Sequence, residues 1–235
     1  MGVIKENMKK FPYRIVDLTH TLDEDTPSWT GSCGFSHETK LDYADCTTET
    51  KFRVQQIKMH AGIGTHMDAP AHCVPGGATI DQLPLSDLIT SCIVIDVSAA
   101  SHERYSLSVQ DIEYFEKVHG SIVPGSFVMI KTGWERFWKT TEKYRNNYRF
   151  PSVSGDAAAF LLGRGIKGLG IDTLSPDRPE DGHPVHSALL GANKYIIENA
   201  ANLSSLPPVG SFILSLPIKT VTTEAPIRLI ALIEH

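Results

Sequence analysis

Residues His60 to His72 read HAGIGTHMDAPAH. Three histidines and an aspartate fall within thirteen residues, with Gly62, Gly64 and Pro70 between them. Pro70 disfavours a helical Ala69, and the two glycines weaken any helix upstream. The stretch is therefore expected to run extended. On an extended path His66 and Asp68, two residues apart, share one side of the chain. An imidazole nitrogen beside a carboxylate oxygen is a usual donor pair for Zn²⁺ or Mn²⁺. His72 lies past the Ala69-Pro70 turn and is placed to face the same cavity without binding the ion. A lone His-x-Asp is as readily a hydrogen-bonded surface pair; the added histidines, glycines and proline favour a site.

Outward from this stretch, short apolar runs predict strands at Tyr13–Leu18, Ile93–Val97, Phe127–Lys131, Gly168–Ile171, Ser211–Leu216 and Arg228–Ile233. Their length and their Ile, Val, Leu and Phe content suit strands. Ser108 with Asp111 opens a helical pattern over Val109–Lys117. Ser154–Leu162 is Ala-rich and ends at Gly163. Ser187–Leu190 and Lys194–Ala201 also read as helix, broken at Gly191-Ala192-Asn193. Lys139–Arg149 is polar and reads as a solvated excursion, and Ser175–Pro184 as a loop. The mixture gives an α/β or α+β chain with mixed sheets and flanking helices, expected as a single domain over 1–235.

The segment GTHMDAPAH resembles the signature of the cyclase family of metal-dependent hydrolases, which includes bacterial kynurenine formamidases and isatin hydrolases. That signature runs His-x-Gly-Thr-His-x-Asp-x-Pro-x-His. GLGIDTLSPD, followed by HPVHSALLGANKYIIENAANLSSLP, is similar to the family's second block, and DLTHTLDEDTPSWTG to its opening segment. The resemblance implies the family's swivelling β/β/α-like fold and assembly as a homo-oligomer, dimer or tetramer. It implies His66, Asp68, His186 and Glu198 as metal ligands, His72 as acid/base and Trp29 as a substrate-binding residue. One position departs from the pattern. The signature's first histidine falls at Gly62, and His60 stands two places too early. One divalent ion, Mn or Zn, is then expected rather than two.

The implied reaction is attack by metal-activated water on an amide, lactam or formamide carbonyl of a small molecule, with neutral His72 moving the proton. The other reading is a non-catalytic metal- or ligand-binding relative that has lost activity through Gly62. Glu198 falls in a helix-like stretch, where a solvated Glu is the ordinary outcome. Asp172, after a strand-like run, is expected to support the pocket's shape, and Cys73 to be a small filler.

Composition narrows the classes. Twenty-two basic against twenty-seven acidic residues give a net charge of −5, which favours neither nucleic acid nor an anionic membrane. No apolar run reaches the length of a membrane span, and MGVIKENMKK lacks the apolar core of a secretory signal. The four cysteines form no CxxC pair, which fits reduced thiols and a cytoplasmic chain. Neither a dinucleotide fingerprint nor a GxSxG elbow is present.

Overall fold

The computed structural model describes residues 11–234. The reading of MGVIKENMKK lies outside that range. Among the described residues twelve strands run in chain order: β1 Tyr13–Asp17, β2 Phe35–Leu41, β3 Val54–Met59, β4 His66–Asp68, β5 Ile89–Asp96, β6 Ser106–Leu107, β7 Phe127–Lys131, β8 Ser152–Val153, β9 Gly168–Ile171, β10 Tyr195–Glu198, β11 Ser211–Pro217 and β12 Glu224–Glu234. The α-helices of the described residues are α1 Leu85–Leu88, α2 Val109–His119, α3 Thr141–Arg145, α4 Gly155–Gly163 and α5 Pro184–Gly191.

The main sheet follows the order β1-β12-β11-β5-β7-β9-β10-β4, and β4 also pairs with β12. β12, β11, β5, β7, β9, β10 and β4 therefore close into a ring, with β1 added along β12. β5, β7, β9 and β10 run parallel, and the remaining pairings of this sheet are antiparallel. β2 and β3 form a separate hairpin, and β6 pairs β8 in a short parallel sheet.

Side chains alternate across each strand, which produces two apolar layers. Phe127, Met129, Met67, Ile197 and Leu229 fill the interior of the ring. Val128, Ile130, Leu169, Ile171 and Ile196 point outward and pack with Ile112 of α2, Leu161 of α4 and Leu189 of α5. Gly168 and Gly170 on β9 serve the inner layer. A Cβ at either would collide with Phe127, and at Gly170 with Met129 as well.

Each strand run expected from sequence lies within or nearly matches an observed strand, and Phe127–Lys131 and Gly168–Ile171 match residue for residue. The Ser108–Asp111 capping box is present, with each side chain bonded to the other's backbone N–H. Two expectations fail. Lys194–Ala201 is not helical: Tyr195–Glu198 is a fully buried strand between β9 and β4. Burial between two strands, with β-branched Ile196 and Ile197, overrides the helical pattern. Lys139–Arg149 is not merely a solvated excursion. It holds α3, whose Tyr144 is wholly buried against Trp138 and donates its hydroxyl hydrogen bond to Asn199 Oδ1 at 2.8 Å.

No helix among the described residues is long and apolar enough to cross a membrane.

Candidate active site

Strand β4 is only three residues long, yet it sits between two partners. Its neighbours are β10, with Glu198 opposite His66, and β12, with Glu224 opposite Asp68. Directly opposed residues of antiparallel strands project from the same face. His66, Asp68, Glu198 and Glu224 therefore share the outer face of the ring, while Met67 and Ile197 fill its interior. α5 packs over that face and delivers His186. The expected i, i+2 placement of His66 and Asp68 is thus present, and a strand, not a helix, brings Glu198 to them.

The four residues converge closely. His66 Nε2 lies 3.6 Å from Asp68 Oδ1 and 3.4 Å from Glu198 Oε2. His186 Nε2 lies 3.6 Å from Asp68 Oδ2 and 3.5 Å from Glu198 Oε1. All four residues are buried. Both Asp68 oxygens are buried with no hydrogen-bond partner among the described residues.

The opposite ring nitrogens are committed. His66 Nδ1 is 2.8 Å from the Gly64 carbonyl, which can only accept. Asn199 Nδ2–H donates to the same carbonyl at 2.8 Å and holds it in place. His186 Nδ1 is 2.7 Å from Asp177 Oδ2, and the same carboxylate accepts the backbone N–H groups of Val185 and His186 at 3.0 and 2.9 Å. Each neutral imidazole must then carry its proton on Nδ1. Both Nε2 atoms face the two carboxylates, and in a neutral ring each offers a lone pair there. Such a donor set suits a divalent cation, and a carbonyl or carboxylate behind a histidine is the usual support where one ligates a metal.

Electrostatics agree. Burial opposes a charge on His66, but Asp68 and Glu198 outweigh it and raise its pKa. Burial likewise opposes a charge on His186, yet Asp177, Asp68 and Glu198 push it up to about 11. Burial, reinforced by Asp68, lifts Glu198 to about 8. Burial would raise Asp68 too, but His186, His66 and His72 hold it below the usual carboxylate range.

The donors line a cavity of about 410 Å³, whose wall also includes Trp29, His60, Gly62, His72, Cys73 and Glu224. His72 sits at the mouth, about a third exposed, with Nδ1 3.1 Å from Glu224 Oε2. Trp29 lines the wall and packs against Tyr148 with ring centroids 4.7 Å apart. His60 is exposed and belongs to neither group of three potential ligands whose donor atoms lie within 4.8 Å of one another. Those groups are Asp68–His72–His186 and His66–Asp68–Glu224. Cys73 is exposed at the cavity, not a buried filler.

Asp177, Asn199 and Glu224 escaped the sequence reading. Asp177 stands in the quoted SPD segment, where it reads as a turn residue. Asn199 adjoins Glu198 but has a left-handed backbone (φ 56°) that no pattern reveals. Glu224 lies far along the chain in TTEAPIR, and only strand register brings it to Asp68. Asp172 does not reach the cavity. Its carboxylate accepts from Thr132 N–H, Thr132 Oγ1–H and Gly133 N–H and ties the ends of β9 and β7 together.

Comparison with known proteins bears on this arrangement. The Cyclase family model ("Putative cyclase") matches residues 16–178. The isatin hydrolase of Roseibium aggregatum is 31% identical over 187 residues, covering 72% of this chain and 71% of that protein. The kynurenine formamidase of Sphingopyxis alaskensis is 29% identical over 221 residues, covering 92% and 97%. The structure of isatin hydrolase A from Labrenzia aggregata bound to benzyl benzoate superposes with a TM-score of 0.85 at 30% identity, covering 95% of each chain. The convergent donors, the signature around His66 and these likenesses lead to one conclusion: the chain belongs to the cyclase family, alongside isatin hydrolases and kynurenine formamidases.

Proposed function

We propose that this chain is a metal-dependent amidohydrolase that cleaves the carbon–nitrogen bond of a small amide, lactam or formamide. The observation that carries the reading is the convergence of His66 and His186 Nε2 on oxygens of Asp68 and Glu198 at 3.4–3.6 Å, with both Asp68 oxygens buried and lacking a hydrogen-bond partner among the described residues. These four residues would hold one divalent ion, Mn or Zn. When bound, that ion supplies a water of lowered pKa and polarisation of the substrate carbonyl.

The remaining chemistry belongs to the chain. With Nδ1 engaged by Glu224, His72 keeps its other ring nitrogen for the proton. A neutral imidazole at the mouth of the cavity takes a proton from the attacking water and returns it to the departing nitrogen. Trp29 offers a flat apolar wall for the body of the substrate. Burial of the donors keeps bulk water from competing for the ion. A lactam gives a single ring-opened product, and a formamide releases formate. Both need the same placement of one carbonyl and one nitrogen between ion and His72, so likeness to isatin hydrolase and to kynurenine formamidase is mutually consistent.

The chain is further read as one domain that works in the cytoplasm as a homo-oligomer. All four cysteines are free, as a reducing compartment would leave them. The test is hydrolysis of an aryl formamide and of an isatin-type lactam by protein stripped with chelator and then reloaded with Mn²⁺ or Zn²⁺. Activity is expected to vanish on stripping and return on reloading. Undiminished turnover by metal-free protein would refute the reading. Metal uptake without turnover on either substrate would favour the non-catalytic relative.

A further inference from the structure

Gly62 has no local reason to be glycine. Its backbone is not among those with left-handed dihedrals, so an L-residue meets no strain there. What stands in the way is a side chain from elsewhere. A Cβ on Gly62 would lie 2.9 Å from Glu224 Oε2, 3.0 Å from its Cδ and 3.1 Å from Oε1. The Glu224 carboxylate occupies the volume that a residue at position 62 would use.

That volume adjoins the donor cluster. Glu224 is the cross-strand partner of Asp68, and donor atoms of His66, Asp68 and Glu224 all lie within 4.8 Å of one another. One Glu224 oxygen, Oε2, is 3.1 Å from His72 Nδ1, which leaves Oε1 for a further bond. The carboxylate enters the cavity beside Asp68, whose own oxygens have no hydrogen-bond partner among the described residues. We propose that Glu224 is a ligand to the divalent cation held by His66 and Asp68, reaching it through the space left by the missing side chain of Gly62.

The proposal rests on the metal-dependent reading and refines it. A carboxylate in place of a nitrogen donor makes the site harder, and harder sites favour Mn²⁺ over Zn²⁺ more than nitrogen-rich ones do. Glu224 also ties the cation to the proton carrier, because the same carboxylate holds His72. The glycine and the glutamate are then two halves of one feature: each is explained by the other, although 162 positions of sequence separate them.

The test is calorimetric titration of Mn²⁺ and of Zn²⁺ into chelator-stripped full-length protein, with metal content after dialysis as a second readout. Glu224→Gln keeps an oxygen that can accept from His72 but is a poorer ligand. It is expected to weaken Mn²⁺ binding about tenfold or more, with a smaller loss for Zn²⁺. The double variant Gly62→His with Glu224→Gly supplies an imidazole from the vacated volume. It is expected to regain affinity and to shift the Zn²⁺-to-Mn²⁺ preference about tenfold toward zinc. Circular dichroism of each variant confirms that it is folded before titration. Unchanged Mn²⁺ and Zn²⁺ affinities in folded Glu224→Gln would overturn the assignment while leaving the metal-dependent reading standing. Failure of the unaltered protein to take up either ion would overturn both.

Discussion

The two halves of the ring are built from the same kind of strand and end in opposite states. On the outer face of β5, β7 and β9, Ile93, Val128, Ile130 and Leu169 pack against helices. On the outer face of β10, β4 and the start of β12, the corresponding positions carry Glu198, His66, Asp68 and Glu224. The first half settles its free energy by burial alone. The second keeps imidazole nitrogens and carboxylate oxygens 3.4–3.6 Å apart, too long for good hydrogen bonds and suited to an intervening ion. Buried charge of this kind is costly, and stability alone does not explain its presence. The difference teaches that one half of this sheet is packed for stability alone, while the other carries a buried polar donor set that packing does not explain.

The widest separation between the halves should come from Asp68→Asn. Hydrolysis is expected to fall at least about a thousandfold, because Asp68 faces both histidines. Its urea midpoint should move less than that of a core variant. The core counterpart is Ile130→Ala, which removes a wholly buried side chain from β7. It should cost about 2–5 kcal/mol in urea unfolding and leave cation affinity within about twofold. Loss of ion binding in Ile130→Ala, with the protein still folded, would break the division.

Legibility followed the same line. Phe127–Lys131 and Gly168–Ile171 were readable to the residue because continuous apolar runs of strand length say what they are. The pairing of His66 with Asp68 was readable because a period of two needs no partner. Glu198 was reached through resemblance, and its surroundings were misread. A tetrapeptide of Tyr, Ile, Ile and Glu has no strong local period, and its strand state comes from β9 and β4 on either side. Tyr144 was missed because one buried aromatic inside a charged segment leaves no pattern. Asp177 and Glu224 were missed because capping of α5 and strand register are tertiary facts. Gly62 was visible as an oddity, and the residue that fills its space was not.

Two smaller effects sharpen the comparison. In the ion-free state His186 is held protonated, with a pKa pushed up to about 11, and Glu198 is pushed up to about 8. Cation binding must displace these protons, so affinity should rise with pH between pH 6 and 8, by about tenfold per unit for each proton released. Calorimetry in buffers of different ionisation enthalpy checks both sign and proton count. Core packing carries no such dependence, so Ile130→Ala should show the same slope. Asp177→Asn should act more gently. It removes the charge that fixes His186 Nδ1–H and is expected to weaken the ion by about 10- to 100-fold. Equal affinity in Asp177→Asn would show that His186 needs no orienting partner.

The most direct measurement is a crystal structure of the full-length protein loaded with Mn²⁺, with anomalous scattering recorded at the manganese edge. The account predicts a peak within about 2.0–2.3 Å of His66 Nε2, His186 Nε2 and oxygens of Asp68 and Glu198. A fully loaded crystal with no peak among these four residues, or with manganese bound elsewhere, would contradict it.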